Sequence, residues 1–155
     1  MIHLSEEQLQ IIYAHGQKTY PEECCGILFG HFTDGGKTVV AVMPTENAWE
    51  GDTAEDFPGD SQEYSKRRRY AIAPQVMLQA QKQAREQNID IIGFYHSHPD
   101  YPATPSEFDR LCAWQEYSYI IVAIENGVPI EMNSWCLDTN HLFQPEKILN
   151  LGKKL

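Results

Sequence analysis

The sequence predicts an α/β fold, a mixed and largely antiparallel sheet flanked by helices, with residues 1–155 forming a single domain. Three observations carry that expectation. The length of 155 residues suits one domain with a real core. Short apolar, β-branched runs bounded by turn residues alternate with capped stretches of helical period. The chain has no internal repeat, low-complexity block or compositional break that would divide it.

The elements follow in order. Ser5 and Gln8 fit a capping box, and Leu4 and Leu9 stand where a hydrophobic staple needs them, so the first element is read as a helix. Leu9, Ile12 and Tyr13 give it an apolar stripe, and Tyr20-Pro21 ends it. "CGILFGHF" (25–32) reads as a buried strand, and Asp34-Gly35-Gly36 turns it into "KTVVAVMP" to make a hairpin. Residues 45–65 are acidic and without period, a long loop that leads into the basic run Lys66-Arg67-Arg68-Arg69. "RYAIA" is expected as a short strand before a helix from Pro74 to about Gln87, with Val76, Met77, Ala80 and Ala84 on one side. "IDIIGFYH" (89–96) is a buried strand ended by Pro99. In "TPSE", Thr104 is read as the N-cap of a third helix, with Pro105 at its first position and Glu107 three residues after the cap, continuing through "FDRLCAW". "YSYIIVAIE", Asn126-Gly127 and "VPIEMNSWCL" form a hairpin on a type I′ turn, and the tail after Asp138 adds a final strand.

A formal charge of −10 argues against nucleic acid or an anionic membrane as the partner, because phosphate binding needs a basic face. No apolar run reaches the eighteen or so residues of a membrane span, and no secretory signal opens the chain. Cys24, Cys25, Cys112 and Cys136 form no C-x-x-C pair, and the first two are adjacent, which suits reduced thiols in a cytoplasmic protein.

The chemistry concentrates in "IIGFYHSHPDYPATPSEFD" (91–109). On a strand, a period of two turns His96 and His98 to one face, with Cα atoms about 6–7 Å apart. Ser106 and Asp109, three apart at a helix start, share a face there. A loop stiffened by Pro99, Pro102 and Pro105 can fold that face back over the strand end. Two imidazoles and one carboxylate suit zinc with a fourth tetrahedral position open for water. Taken singly, each residue has an ordinary explanation: an isolated H-x-H is commonly two polar residues, and an acid in a first turn complements the helix dipole. The conjunction of strand end, helix start and ligand types is what points to a site.

Two other H-x-H patterns fit less well. "HSHPD" has the H-x-H-x-D of metallo-β-lactamase-like hydrolases, with Asp100 as ligand, but Tyr101 stands where that pattern continues with a histidine. Amidohydrolase-type barrels need about 250 residues.

"HSHPDYPATPSEFD" resembles the signature of the JAMM (MPN-plus) metalloproteases, with seven residues between His98 and Ser106 and two between Ser106 and Asp109. Upstream, "PEECCG" resembles the family's Pro-x-Glu-x-Cys-Gly as Pro21, Glu23, Cys25 and Gly26. The resemblance covers nearly the whole chain and is similar to the prokaryotic, single-domain branch, with a cytidine deaminase-like fold.

That resemblance implies roles. His96, His98 and Asp109 would bind one catalytic zinc ion, Glu23 would act as general base toward a water, and Ser106 would hydrogen-bond the oxyanion. The residues alone do not separate Glu23 from Glu22, and Cys25 fits a packing role. The resemblance further implies a peptidase or isopeptidase that cleaves after the C-terminal Gly-Gly of a ubiquitin-like or sulfur-carrier protein, releasing cysteine, lysine or a peptide. The acidic loop would help to hold the carrier's basic surface. From another class, the alternative is a module that keeps its metal and binds a carrier or partner protein without cleaving it. The oligomeric state is left open.

Overall fold

A strand that the sequence reading passes over comes first. β1 (Ile2–Leu4) precedes helix α1 (Glu6–Thr19), and both Ile2 and Leu4 are fully buried. Three residues are too few for a period to register, so the strand is defined by its neighbours. The computed structural model describes residues 1–50 and 65–150. In it α1 starts as expected: the Ser5 hydroxyl accepts from the Gln8 amide, and the Gln8 side chain returns to the Ser5 amide.

β2 (Cys25–Thr33) and β3 (Gly36–Thr45) form the first hairpin. Then come α2 (Pro74–Glu86), β4 (Asp90–Pro99), the short α3 (Glu107–Cys112), and the hairpin of β5 (Ser118–Glu125) and β6 (Val128–Leu137). Asn126 and Gly127 take φ of 50° and 81°, both on the positive side that a type I′ turn requires. The tail adds two strands rather than one, β7 (Phe143–Glu146) and β8 (Ile148–Asn150).

The expected strand at "RYAIA" does not form: residues 69–73 carry no regular structure. Their backbone bonds go instead to Ala48 and to the Asn47 side chain, and Ala73 is held extended ahead of Pro74. Of the expected 45–65 loop, residues 46–50 are irregular, and the stretch 51–64 lies outside the described residues.

Among the described residues the strands make one eight-stranded sheet in the order β7-β6-β5-β4-β2-β3-β1-β8. The pairings β4/β5, β1/β3 and β1/β8 are parallel, and the other four are antiparallel. α1 packs on one face over Leu28, Ile92, Tyr95 and Ile120, whereas α2 covers Ile27 and Phe29 on the other. Lys147 alone separates β7 from β8, so the two ends of the sheet order are joined through it. There Glu146 accepts from Ser118 and Ser134 and lies 3.8 Å from Lys37 of β3, a buried polar clamp across the closure.

The central position of β4, between β2 and β5, positions everything that follows. Its register with β2 pairs Cys25 with His96. The Ser97 amide bonds the Cys24 carbonyl, and the Cys24 amide bonds the Ser97 hydroxyl. Continued one step, this antiparallel register sets Glu23 level with His98. Gly26 is required beside it, because a Cβ there would lie 2.1 Å from the Tyr95 ring.

Candidate metal centre

His96 and His98 occupy the end of β4, 1% and 0% exposed, with their rings turned to the same side. Asp109 reaches them from α3. Its N-terminus differs from the expected one: Ser106, not Thr104, is the N-cap, and the helix ends at Cys112 rather than running through Trp114. "TPSEFD" contains two overlapping capping boxes, Thr104–Glu107 and Ser106–Asp109. The second forms, with the Ser106 hydroxyl accepting from the Asp109 amide and Asp109 Oδ2 accepting from the Ser106 amide. The same Oδ2 faces both imidazoles, so the cap also aims the carboxylate.

The three side chains converge closely. His96 Nε2 and His98 Nε2 are 3.0 Å apart, and Asp109 Oδ2 is 3.3 Å and 3.2 Å from them. Zinc bonds of about 2.0–2.1 Å in tetrahedral geometry put ligand atoms roughly 3.3 Å from one another. The tautomer supports the same use. Pro102 offers only a carbonyl, so the 2.7 Å contact with His98 Nδ1 puts the proton on Nδ1 and the lone pair on Nε2. Two ring nitrogens and an anionic oxygen facing one another are a donor set for a cation, and the residues fit a zinc ion. His96 Nδ1 is buried and has no hydrogen-bond partner among the described residues.

Glu23 stands beside this triangle, 1% exposed, with a carboxylate oxygen within 4.8 Å of the ligand nitrogens of both histidines. Burial pushes its carboxyl up to about 8, against the opposing pull of His96 and the Tyr101 hydrogen bond. A carboxyl in that range is well matched to taking and returning a proton near neutral pH. Glu22, which the sequence could not separate from it, is exposed. For Asp109 burial works upward, but the two imidazoles overcome it and hold the acid far below the usual carboxylate range. Burial lowers His98. In His96 the charge of Asp109, its hydrogen bond and Glu23 together overcome burial and raise the imidazole.

Two tyrosines that the sequence reading did not single out wall the site. The Tyr70 ring stacks on His96 at 4.4 Å, and the Tyr101 ring on His98 at 4.0 Å. The Tyr101 hydroxyl also donates to Glu23 Oε2. Asn47 ties this region together, donating to the carbonyls of Glu23 and Arg69 and accepting from the amides of Trp49 and Ala71. No spacing rule in the sequence marks these residues, because each acts across long sequence separations.

Asp100, the ligand of the lactamase-like alternative, is not brought to the centre. It takes a φ of 61°, and its carboxylate accepts from the Tyr20 hydroxyl and the Asn126 amide. Cys24 and Cys25 are buried, and burial pushes their thiols up to about 12 and about 11, which fits packing rather than attack. Beside Asp109 opens a pocket of about 400 Å³ with aromatic walls that include Trp49, Tyr70, Phe94, Phe108 and Trp114.

Comparison with known proteins shows what the chain as a whole is similar to. A family model described as prokaryotic homologs of the JAB domain matches residues 5–138. A desampylase from Haloferax volcanii is 31% identical over 102 residues, 65% of this chain, and the chain spans 62% of that relative's length. A solution structure from Desulfitobacterium hafniense superposes with a TM-score of 0.77 at 27% identity, covering 99% of this chain and 94% of that one. Another from Salinibacter ruber gives 0.68 at 32% identity, covering 97% and 91%. A JAB1/MPN domain protein from Archaeoglobus fulgidus shares the fold at 14% identity, with a TM-score of 0.54 and coverage of 96% and 98%.

Proposed function

The chain belongs to the family of prokaryotic homologs of the JAB domain, and from that membership we propose that it is a zinc-dependent isopeptidase working as a single domain. Its substrate in this reading is the amide bond after the C-terminal Gly-Gly of a ubiquitin-like or sulfur-carrier protein. The observation that carries the proposal is the convergence of His96 Nε2, His98 Nε2 and Asp109 Oδ2 beside a buried Glu23. The similarity to a desampylase supports the isopeptidase reading and a ubiquitin-like substrate.

His96, His98 and Asp109 would hold the metal. The chemistry zinc supplies in such a site is Lewis acidity toward a carbonyl oxygen and a water. The remaining work falls to side chains of this chain. Glu23 takes the proton of the attacking water and returns it to the departing amine. Tyr101 fixes the orientation of Glu23 through the hydroxyl that donates to Oε2. The Ser106 oxygen already accepts from the Asp109 amide, which leaves its hydrogen to donate toward the oxyanion. The tyrosines stacked on the two histidines keep competing water from the imidazoles.

Among the described residues no helix is long and apolar enough to cross a membrane. A cytoplasmic location, and an acidic surface that meets a basic carrier, belong to the same proposal. The test is direct. A carrier ending Gly-Gly, capped with an amino acid or a lysine adduct, is incubated with the zinc-loaded protein, and the products are weighed by mass spectrometry. Cleavage after the second glycine, lost on chelation and restored by zinc, is the expected result. Intact adduct bound without cleavage would leave a binding module instead, and equal cutting of unfolded peptides lacking Gly-Gly would remove the carrier from the account.

A further inference from the structure

We propose that Arg68 reads a free carboxylate on the amine side of the scissile bond. The enzyme would thus prefer a carrier whose terminal glycine is joined to the α-amine of an amino acid over one joined to a lysine side chain within a protein. This rests on the isopeptidase reading above and adds to it the chemistry of the leaving group.

The placement of Arg68 carries the argument. Its guanidinium carbon lies 4.5 Å from the centroid of the Tyr101 ring. The His98 ring lies 4.0 Å from the same ring and nearly parallel to it, at 14°. A guanidinium and an imidazole cannot share one face at those distances, so Arg68 covers the outer face. The result is a stack of guanidinium, phenol and ligand imidazole, with the Tyr101 hydroxyl on Glu23 at its edge. The cation is therefore one ring removed from His98, a proposed metal ligand, and stacked on the residue whose hydroxyl bonds the proposed base.

The backbone holds it there. The Glu23 amide donates to the Lys66 carbonyl at 2.7 Å, and the Arg68 amide to the Ser65 carbonyl at 3.0 Å. The turn that carries Arg68 is thus fastened to the residue that carries the base. Among the described residues no carboxylate lies within salt-bridge range of the Arg68 guanidinium, which is exposed. The neighbouring Arg67, by contrast, acts electrostatically on Asp100 and Tyr20. In a chain of net charge −10, an exposed arginine that is stacked on Tyr101 and has no carboxylate partner among the described residues is suited to an anion.

The anion's identity follows from reach. In an α-linked adduct the carboxyl carbon follows the scissile carbonyl carbon after three bonds, at most about 4 Å away. A guanidinium then grips the carboxylate across about 2.7–2.9 Å, in the paired geometry that its planar fork favours. A group attacked beside His98 and Glu23 would present its carboxylate in the neighbourhood of Arg68. A lysine linked through its side chain places its backbone carboxyl several bonds further out, where in a protein it is tied up in a peptide bond.

Two adducts of one Gly-Gly carrier test this, identical except that the capping amino acid ends in a free acid or in a carboxamide. Wild-type zinc-loaded protein should prefer the acid about ten- to a hundredfold, by calorimetric affinity and by kcat/KM, the range expected for hydrogen bonds to a charged group. In Arg68→Gln the acid-to-amide ratio should fall to near one, and in Arg68→Lys it should remain between the two. A wild type indifferent to acid or amide, or an Arg68→Gln that keeps the full preference, overturns the assignment. The affinity measurement needs no turnover. A retained acid preference without cleavage counts against the isopeptidase reading and supports Arg68, whereas cleavage without preference does the reverse.

Discussion

The Tyr101 hydroxyl donates to Glu23 Oε2 while the ring of the same residue lies parallel to His98, with centroids 4.0 Å apart. A single side chain therefore fixes the orientation of both the proposed base and a proposed ligand, from a loop that β4 delivers one residue beyond Asp100. Burial, followed by the charge of Glu23 and the hydrogen bond to it, raises the phenol far above its usual range, so it acts as a donor and not as an acid.

Tyr101→Phe keeps the stacking ring and removes only the hydrogen bond. Zinc content should stay at the wild-type level, and the thermal midpoint should fall by no more than roughly 2–10 °C, the cost of one unsatisfied buried acceptor. Turnover of a capped carrier should fall about ten- to a hundredfold, chiefly in kcat, because a hydrogen bond to a charged group has been lost from the base. An unchanged kcat in steady-state assays would show that Glu23 is oriented without Tyr101.

Replacing the converging donors should separate the metal site from its sequence neighbours. His96→Ala and Asp109→Ala should lose zinc by elemental analysis. Asp100→Ala should retain it, since its carboxylate is engaged with Tyr20 and Asn126. Zinc held by Asp109→Ala and lost by Asp100→Ala would move the site to the lactamase-like pattern.

The closure of the sheet predicts an acid-side loss of stability. Burial of Glu146 works against its charge. The hydroxyls of Ser118 and Ser134 and the ammonium of Lys37 overcome it and hold the carboxyl below its ordinary value. A group depressed in the folded state stabilises it fully above the unfolded value, about 4.3 for glutamate, and loses that contribution as pH falls through the folded value. Glu146→Gln should cost about 1–3 kcal/mol at neutral pH, as for a hydrogen-bonded charge. It should also flatten the decline of the urea midpoint below pH 4.3. Equal slopes for variant and wild type would place the acid sensitivity elsewhere.

Much of this molecule was legible in its sequence. The Ser5–Gln8 box, the Asn126-Gly127 turn and the β-branched runs each state a local rule, and the structure follows them. Where it departs, a tertiary demand has won. β1 is only three residues long and is specified by its parallel neighbours β3 and β8. "RYAIA" has strand composition, yet Tyr70 is used to cover His96 and Ala71 to bond Asn47. Of two capping boxes in "TPSEFD", the one formed is that whose acid also faces the imidazoles. That Glu23 and not Glu22 is buried beside the histidines follows from the β2–β4 register, which no local pattern contains. Tyr101, Tyr70, Asn47 and Arg68 act through partners at long sequence separations, and a single sequence carries no mark of such contacts.

The central claim is that Glu23 moves the proton at a metal site it does not itself hold. It is tested most directly by Glu23→Gln, with metal content and product mass measured on the same preparation and Glu22→Gln in parallel. The account predicts one zinc per chain in both variants, with cleavage of the capped carrier by Glu22→Gln. Cleavage by Glu23→Gln should fall by about 10²–10⁴, the usual contribution of a general base. Wild-type turnover by zinc-loaded Glu23→Gln would contradict it.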